Sequence, residues 1–319
     1  MEKERAFVGR INEEKKKLII DFEKEHPFAL ATIGYGSGVI EQLGSDPNDK
    51  KQIDIIDVVE DLEKWVYENI KTHPEEFTRS TLKYFKKATL EQLEKGAPII
   101  YFSAIGFRGE LIKRGVISKR QLLSSCYERT SSYVPFRLEK TVELIKCEDS
   151  EIYAAMLHNY QITLMTTLLM LPKEKHTLID LMEKICSLSY IGDFRMKIHC
   201  EDPNKIKNIV NKQFEYLTED YSKVNMGYFI SDDMGKIKIN YSRIEEDLEL
   251  LPDDIYTIIN MYPIREENAN YFNEVLEEYY KKAGEKENLK QAIKGIRTVG
   301  VEKALVYGLR KVKKGMKRR

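Results

Sequence analysis

One stretch, residues 28 to 59, limits what this chain can fold into. Phe28-Ala29-Leu30-Ala31-Thr32-Ile33 is apolar and partly β-branched, which predicts a buried strand. Gly34-Tyr35-Gly36-Ser37-Gly38 follows at once. A second strand, Gln52 to Val59, comes after a loop of turn formers, Gly44-Ser45-Asp46-Pro47-Asn48-Asp49. Glycines let a backbone approach a phosphate closely, and their amides donate to it. Ser37 adds a hydroxyl donor, and a carboxylate on the neighbouring strand can hold a divalent metal against the same phosphates. Plain turn chemistry is the competing reading. The turn is not a Walker loop, because no Gly-Lys-Ser/Thr follows, nor a Rossmann fingerprint, because G-x-G-x-x-G is absent. Asp54 and Asp57 both lie on the second strand. Three residues apart, they fall on opposite faces unless a bulge intervenes, so Asp57 is either a second metal ligand or a solvated strand end.

The rest of the composition narrows the class. At 319 residues there is room for about two domains. Lys+Arg and Asp+Glu are equal at 52 each, so net charge gives no reason to expect a nucleic-acid partner. Cys126, Cys147, Cys186 and Cys200 are scattered with no C-x-x-C pair, which excludes a recognisable zinc or thioredoxin motif and argues against a disulfide framework. Met1-Glu2-Lys3-Glu4-Arg5 is neither a signal core nor a transit peptide. The most apolar run, Ile162 to Leu171, is too short to span a bilayer and ends at Pro172.

Taken in order, residues 1–149 read as α+β. An opening helix ends near His26-Pro27, the two strands follow, and helices are expected over Asp61 to Lys71 and from Arg79 to Lys95. Ala97 to Phe102, Glu110 to Lys113 and Thr141 to Cys147 read as strands, with Ser118 capping a helix through Tyr127. Residues 150–250 look helical: Ile152 to Leu171, Thr177 to Leu188, and a helix from Pro203 past Val210 to Tyr216, before weak strand alternation from 228 to 245. Residues 251–319 add helices near Pro252 to Met261 and Glu266 to Lys282 and a basic tail.

Strand, Gly-Ser turn, helix, then an acidic strand resembles the polymerase-β-like nucleotidyltransferases. The longer pattern resembles one family more closely. Its pieces are Tyr35-Gly36-Ser37-Gly38-Val39, Ile53-Asp54, Trp65 with Asn69, Lys113-x-Gly115-Val116-Ile117-Ser118 and Arg137-Leu138-x-Lys140. Leu188-Ser189-Tyr190-x-Gly192-Asp193-Phe194-Arg195-Met196, Asn208-Ile209-Val210 and Lys294-Gly295-Ile296-x-Thr298 follow. Together they resemble the mitochondrial-type phosphatidate cytidylyltransferases, known also as the translocator assembly and maintenance family, over nearly the whole chain. The Leu-Ser-Tyr-x-Gly-Asp-Phe-Arg-Met run is the most specific. The resemblance implies a nucleotidyltransferase domain, a winged-helix-like helical domain and a C-terminal membrane-associating helix. It implies a magnesium-dependent reaction of CTP with phosphatidic acid that yields CDP-diacylglycerol and pyrophosphate. The family pattern carries an apolar or aromatic residue where this chain has Asp57, so Asp57 as a ligand has no support from it. Its usual His after Trp65 is replaced by Val66. The leader of the mitochondrial members is missing, which leads to the expectation of a bacterial-like enzyme on the cytoplasmic face of the cell membrane.

The roles that follow are expectations. Gly36 and Ser37 hold the triphosphate, and Asp54 ligates Mg2+, with Asp57 as the open second ligand. Arg195 grips a phosphate and Asp193 orients it or binds metal, or the two form a structural ion pair across the domain junction. Lys113, Arg137 and Lys140 serve the triphosphate or the lipid phosphate, or form a solvated basic face. Lys205 and Asn208, at a helix start, add phosphate or sugar contacts. Two other classes compete: a nucleotidyltransferase with a non-lipid acceptor, and a non-catalytic membrane scaffold. A homodimer is compatible with either.

The tail carries basic residues at 303, 310, 311, 313, 314, 317, 318 and 319 and no acid from 303 onward. Leu305, Val306, Leu309, Val312 and Met316 fall close to one face of a helix. That pattern predicts an amphipathic helix lying on an anionic membrane surface.

Overall fold

The computed structural model describes residues 6–41, 51–86, 88–173, 175–193 and 202–300. The chain is α+β, as the pattern predicts. Its first half is built on one mixed sheet. Strands β1 (Ala31–Tyr35), β2 (Ile53–Val59), β3 (Ile100–Tyr101), β4 (Ile105–Phe107), β5 (Glu110–Ser118) and β6 (Glu143–Cys147) take the order β3-β5-β2-β1-β6, with β4 paired to β5. Only β2 and β5 run parallel; the other pairs are antiparallel.

Strand alternation divides side chains between two faces. Ala31, Ile33, Ile56, Val58 and Ile117 enter one core with the helices of the second half. Thr32, Ile53, Ile55, Asp57, Ile112, Arg114 and Val116 alternate with these and face the other way. That back face is covered by α1 (Glu13–Lys24), which buries Ile19 and Phe22, and by α2 (Leu62–Thr72), which buries Trp65 and Ile70. Asn12 and Asp61 cap these helices by accepting from Lys15 N and Lys64 N. The single helix expected over Arg79 to Lys95 is two, α3 (Arg79–Phe85) and α4 (Leu90–Glu94), each opened by its own threonine capping box. After β5 come α5 (Lys119–Tyr127), capped by Ser118, and α6 (Tyr133–Leu138).

The second half opens with α7 (Ser150–Leu169), apolar all round and buried along most of its length. It packs with α8 (Leu178–Leu188) and α9 (Lys205–Ser222), and α8 in turn packs on β7 of a small sheet of order β7-β9-β8. In that sheet β7 is His176–Thr177, β8 Phe229–Ser231 and β9 Lys236–Ile239. Short helices α10 (Tyr241–Glu246) and α11 (Asp253–Ile259) lead to α12 (Ala269–Val299). One hydrophobic cluster runs from Ala6 and Ala31 through α7 to Tyr280, so both halves share it.

Helix α12 extends well past the Lys282 expected for it. Beyond that point its buried face is polar: Glu287, Gln291, Lys294 and Thr298 point inward at helical spacing. Each of the first three finds a partner on the first half. Ser131 Oγ donates to Glu287, Gln291 Nε2 donates to Ile99 O at 3.0 Å, and Lys294 Nζ donates to Leu93 O and Ala97 O. Among the described residues no helix is long and apolar enough to cross a membrane.

Candidate active site

The site starts where β1 ends. Gly36 has φ +74°, the left-handed region that favours glycine, and its carbonyl accepts from Val39 N and Ile40 N at 3.1 and 2.8 Å. Ser37 lies in this turn. Gly38 packs so tightly on the next strand that a Cβ there would stand 1.8 Å from Gln52 O. Gln52 in turn donates from Nε2 to Asp54 Oδ1 at 2.7 Å. Asp54 pairs in register with Tyr35 on one side and Lys113 on the other. Residues level across neighbouring strands share a face, so Tyr35, Asp54 and Lys113 stand side by side. A Cβ on Gly36 would lie 3.6 Å from Asp54 Oδ2, so the turn backbone and the carboxylate are neighbours.

Two more tyrosines, Tyr101 and Tyr133, sit against this row. Tyr35 Oη and Tyr101 Oη are 3.0 Å apart, and the Lys113 ammonium lies 4.3 Å from the centre of the Tyr101 ring. Tyr133 interacts with the Tyr101 phenol and accepts from Arg137 Nη2 at 3.2 Å, with the guanidinium 4.7 Å above its ring. Burial pushes the Tyr35 and Tyr101 phenols well up. Burial acts the same way on Tyr133, yet Arg137 beside it and the neighbouring Tyr101 phenol bring that phenol below its usual range.

A second group of cations lies next to Arg137. Lys140 donates to Phe136 O at 3.3 Å and to Ser189 Oγ. The ammoniums of Lys140 and Lys205 stand 5.1 and 5.8 Å from the centre of the same Tyr190 ring. Burial lowers the Lys140 pKa to about 8; Arg137 and Lys205 push the same way, and Glu139 opposes. Asp193 is buried, and its N–H donates to Tyr190 O at 3.1 Å. The loop carrying it is pinned to α12 by two glycines. A Cβ on Gly192 would stand 2.6 Å from Lys281 O, and one on Gly284 would stand 2.4 Å from Ile191 O. Asn208 donates to Asp202 at 3.2 Å at the start of α9. Arg195 lies outside the described residues, as does the tail from 301 onward.

The model of the family "Phosphatidate cytidylyltransferase, mitochondrial" matches residues 16–314. The chain belongs to this family. The protein of that name from Schizosaccharomyces pombe is 30% identical over 316 residues, covering 89% of this chain and 79% of its own length. That from Xenopus laevis is 28% identical, covering 88% of each chain. That from Saccharomyces cerevisiae is 27% identical, covering 89% of this chain and 66% of its own. The chain is therefore a member of a cytidylyltransferase family along nearly its whole length, and the Gly36 turn, the Asp54 strand and the Asp193 loop all fall within the matched residues.

One residue expected at the site stands elsewhere. Asp57 is on the back face, fully buried, where it accepts from Thr32 Oγ1 at 2.9 Å beside Glu23. β2 is regular through its pairing with β1 and β5, so parity keeps Asp57 away from Asp54, and neither a shared metal nor a solvated strand end describes it. Burial raises both the Glu23 and the Asp57 carboxyls, so the pair favours holding a proton between them. The same face buries Arg114, whose Nη2 donates to Glu76 at 2.7 Å and to Asn69 Oδ1 at 3.1 Å. His26, His73 and Glu76 come close enough together to hold a metal ion. Glu76, however, already accepts from Arg114 and Asn69 and faces His26 Nε2 at 2.8 Å, so its carboxylate oxygens are engaged within the protein.

Sequence reasoning missed Gln52 and the three tyrosines. The available signal was Gly115. A Cβ there would meet Tyr101 Cε1 and Ile99 Cγ2 at 2.7 Å, so the glycine of the Lys-x-Gly motif is what lets the Tyr101 ring lie across β5.

Proposed function

We propose that this chain transfers the cytidylyl group of CTP to phosphatidic acid, forming CDP-diacylglycerol and releasing pyrophosphate. The observation that carries the reading is the row Tyr35-Asp54-Lys113, level across three strands and beside the Gly36 turn. A phosphatidate oxygen forms a bond to the α-phosphorus of CTP while the bond to the pyrophosphate oxygen breaks. The nucleophile is already anionic, so positioning and charge neutralisation carry the catalysis. The turn amides at Gly36 and Ser37 bind phosphate oxygens. Lys113 and Arg137 offset charge on the triphosphate, and Lys140 and Lys205 flank Tyr190 as a second cationic group for the acceptor phosphate. The donor set at Asp54 fits magnesium: an oxygen ligand kept oriented by Gln52 and neighboured by a phosphate-binding backbone turn. Asp54 would hold Mg2+, which when bound neutralises charge on the transferring and leaving phosphates.

In this reading residues 1–149 are a polymerase-β-like nucleotidyltransferase domain. Residues 150–250, which among the described residues hold α7 to α10 and the β7-β9-β8 sheet, are winged-helix-like, and 251–319 are C-terminal helices. Labelled CTP with phosphatidic acid in mixed micelles, alongside a panel of non-lipid acceptors, tests the activity. Labelled CDP-diacylglycerol that vanishes in excess EDTA is expected. Labelling of another acceptor in preference, or EDTA-insensitive turnover, refutes the reading.

We further propose that the C-terminal segment lies on an anionic membrane surface. The last turns of α12 support this. Their polar side chains point inward while Leu289, Ile293 and Ile296 are 63%, 45% and 44% exposed on the outer face, leading into the basic tail. Truncation after Gly300 is expected to weaken co-sedimentation with anionic vesicles in a salt-dependent manner while CTP binding survives. Equal, salt-independent sedimentation of both forms refutes the idea.

A further inference from the structure

The cations beside Asp54 do not stand alone. Arg137 and Lys113 come from different elements, α6 and β5, yet both rest on one continuous set of phenols. A guanidinium can only donate, so the Arg137 Nη2–H fixes Tyr133 Oη as an acceptor. The Tyr101 phenol is a neighbour of Tyr133 on one side and lies 3.0 Å from Tyr35 Oη on the other. Tyr35 then stands level with Asp54, which adds to the upward pressure on the Tyr35 phenol after burial. Arg137, Tyr133, Tyr101, Tyr35 and Asp54 are thus neighbours in turn, and Lys113 closes the series by lying over the Tyr101 ring and level with Asp54.

This arrangement has a built character. Tyr101 can lie flat across β5 only because residue 115 is glycine. A buried phenol left without partners is costly, so three side by side are retained at a cost unless they are mutually satisfied. Each here has at least one polar neighbour among the others. None of the three is needed as a general base in the proposed reaction.

We propose that Tyr35, Tyr101 and Tyr133 form a positioning floor that holds Arg137 and Lys113 toward the phosphates at Asp54, with Tyr101 as the central positioning residue. The proposal rests on the reading of this site as one that binds a nucleoside triphosphate. Tyr133 supplies Arg137 with a partner before a phosphate arrives, and Tyr101 links that partner to the metal-binding strand. The ring of Tyr101 and its hydroxyl have separable jobs. The ring supports Lys113, and the hydroxyl joins Tyr133 to Tyr35.

Four variants test this: Tyr101→Phe, Tyr101→Leu, Tyr35→Phe and the Tyr35→Phe/Tyr101→Phe double. Turnover is read with CTP and phosphatidic acid, and the Kd for CTP with magnesium is read without lipid. Tyr101→Phe keeps the ring, so kcat is expected to fall about tenfold while KM for CTP stays within about twofold. Tyr101→Leu also loses the ring, and its Kd for CTP is expected to rise about tenfold. The double variant is expected to match Tyr101→Phe, because a chain already cut loses nothing by a second cut. Denaturant midpoints accompany every variant. Wild-type kcat in Tyr101→Phe, an additive double, or losses that scale with the drop in midpoint overturn the floor. If the wild-type protein makes no lipid product at all, the functional reading fails. The CTP affinity of Tyr101→Leu against wild type then still decides the positioning role.

Discussion

Gly38→Ala probes the join between the glycine turn and the acidic strand. The Cβ would stand 1.8 Å from Gln52 O and 2.6 Å from Gln52 C. Real Cβ atoms essentially never approach closer than 3.0 Å, and both obstructing atoms are backbone, so no rotamer change relieves the clash. Raising 1.8 Å to 3.0 Å separates turn and strand by about 1.2 Å. Gln52 carries that movement to Asp54 through its 2.7 Å hydrogen bond and two intervening peptide links. Misplacing a reacting constellation by about 1 Å costs about 10²-fold in rate. The overpacking itself is expected to cost about 1–3 kcal/mol of stability. kcat/KM for CDP-diacylglycerol formation should therefore drop about 10²-fold in protein that still unfolds cooperatively in urea. Gly106→Ala is the control, since a Cβ there meets nothing within 4 Å. Gly38→Ala with activity within about threefold of wild type would refute the argument that this contact sets the position of Asp54.

Three further outcomes are expected. Asp54→Asn removes the metal-binding carboxylate and should lower kcat by about 10²-fold or more with an unchanged denaturant midpoint; a variant active within tenfold of wild type refutes Asp54 as the ligand. Glu76→Gln leaves the Arg114 guanidinium, buried against Trp65, without its countercharge, and should cost about 3–5 kcal/mol by urea unfolding. The Glu76 carboxyl is held below its usual range by His26 and Arg114 against the opposing effect of burial, so this stability is present above the unfolded pKa and lost as pH falls through the lowered folded value. A wild-type acid-unfolding profile in Glu76→Gln refutes that. Lys140, brought to about 8 mainly by burial, is a cation below that pH and neutral above it, so turnover that uses its charge should decline as pH rises through about 8. Lys140→Arg should move that limb upward, and an unmoved limb assigns it elsewhere, Glu139 at about 8 being the nearest alternative.

What could be read from the sequence follows from how local the information is. The Gly36 turn, the Asp54 strand and the Ser118 cap depend on neighbours a few residues away, and they stand where the pattern predicts. The parity of β2 already separated Asp57 from Asp54; what parity could not supply was the environment. Glu23 and Arg114 come from α1 and β5, and they turn a strand aspartate into part of a buried network. The end of α12 was illegible for a different reason. Helix periodicity is sought in apolar residues, but this helix buries Glu287, Gln291, Lys294 and Thr298 and exposes Leu289, Ile293 and Ile296, so the usual pattern is inverted. Such an inversion is stable only because the inward polar groups meet Ser131 and the carbonyls of Leu93, Ala97 and Ile99 from the first half. The tyrosines were hidden likewise, since Tyr101 reads as one more aromatic in a strand until Gly115 is seen to make room for its ring. In both places the residue that explains the contact lies far away in sequence, and its mark is a glycine or a polar side chain where an apolar one was expected. A polar face at helical spacing inside a helix, or a glycine in mid-strand, is thus the sign that points toward a junction or a site when only the sequence is in hand.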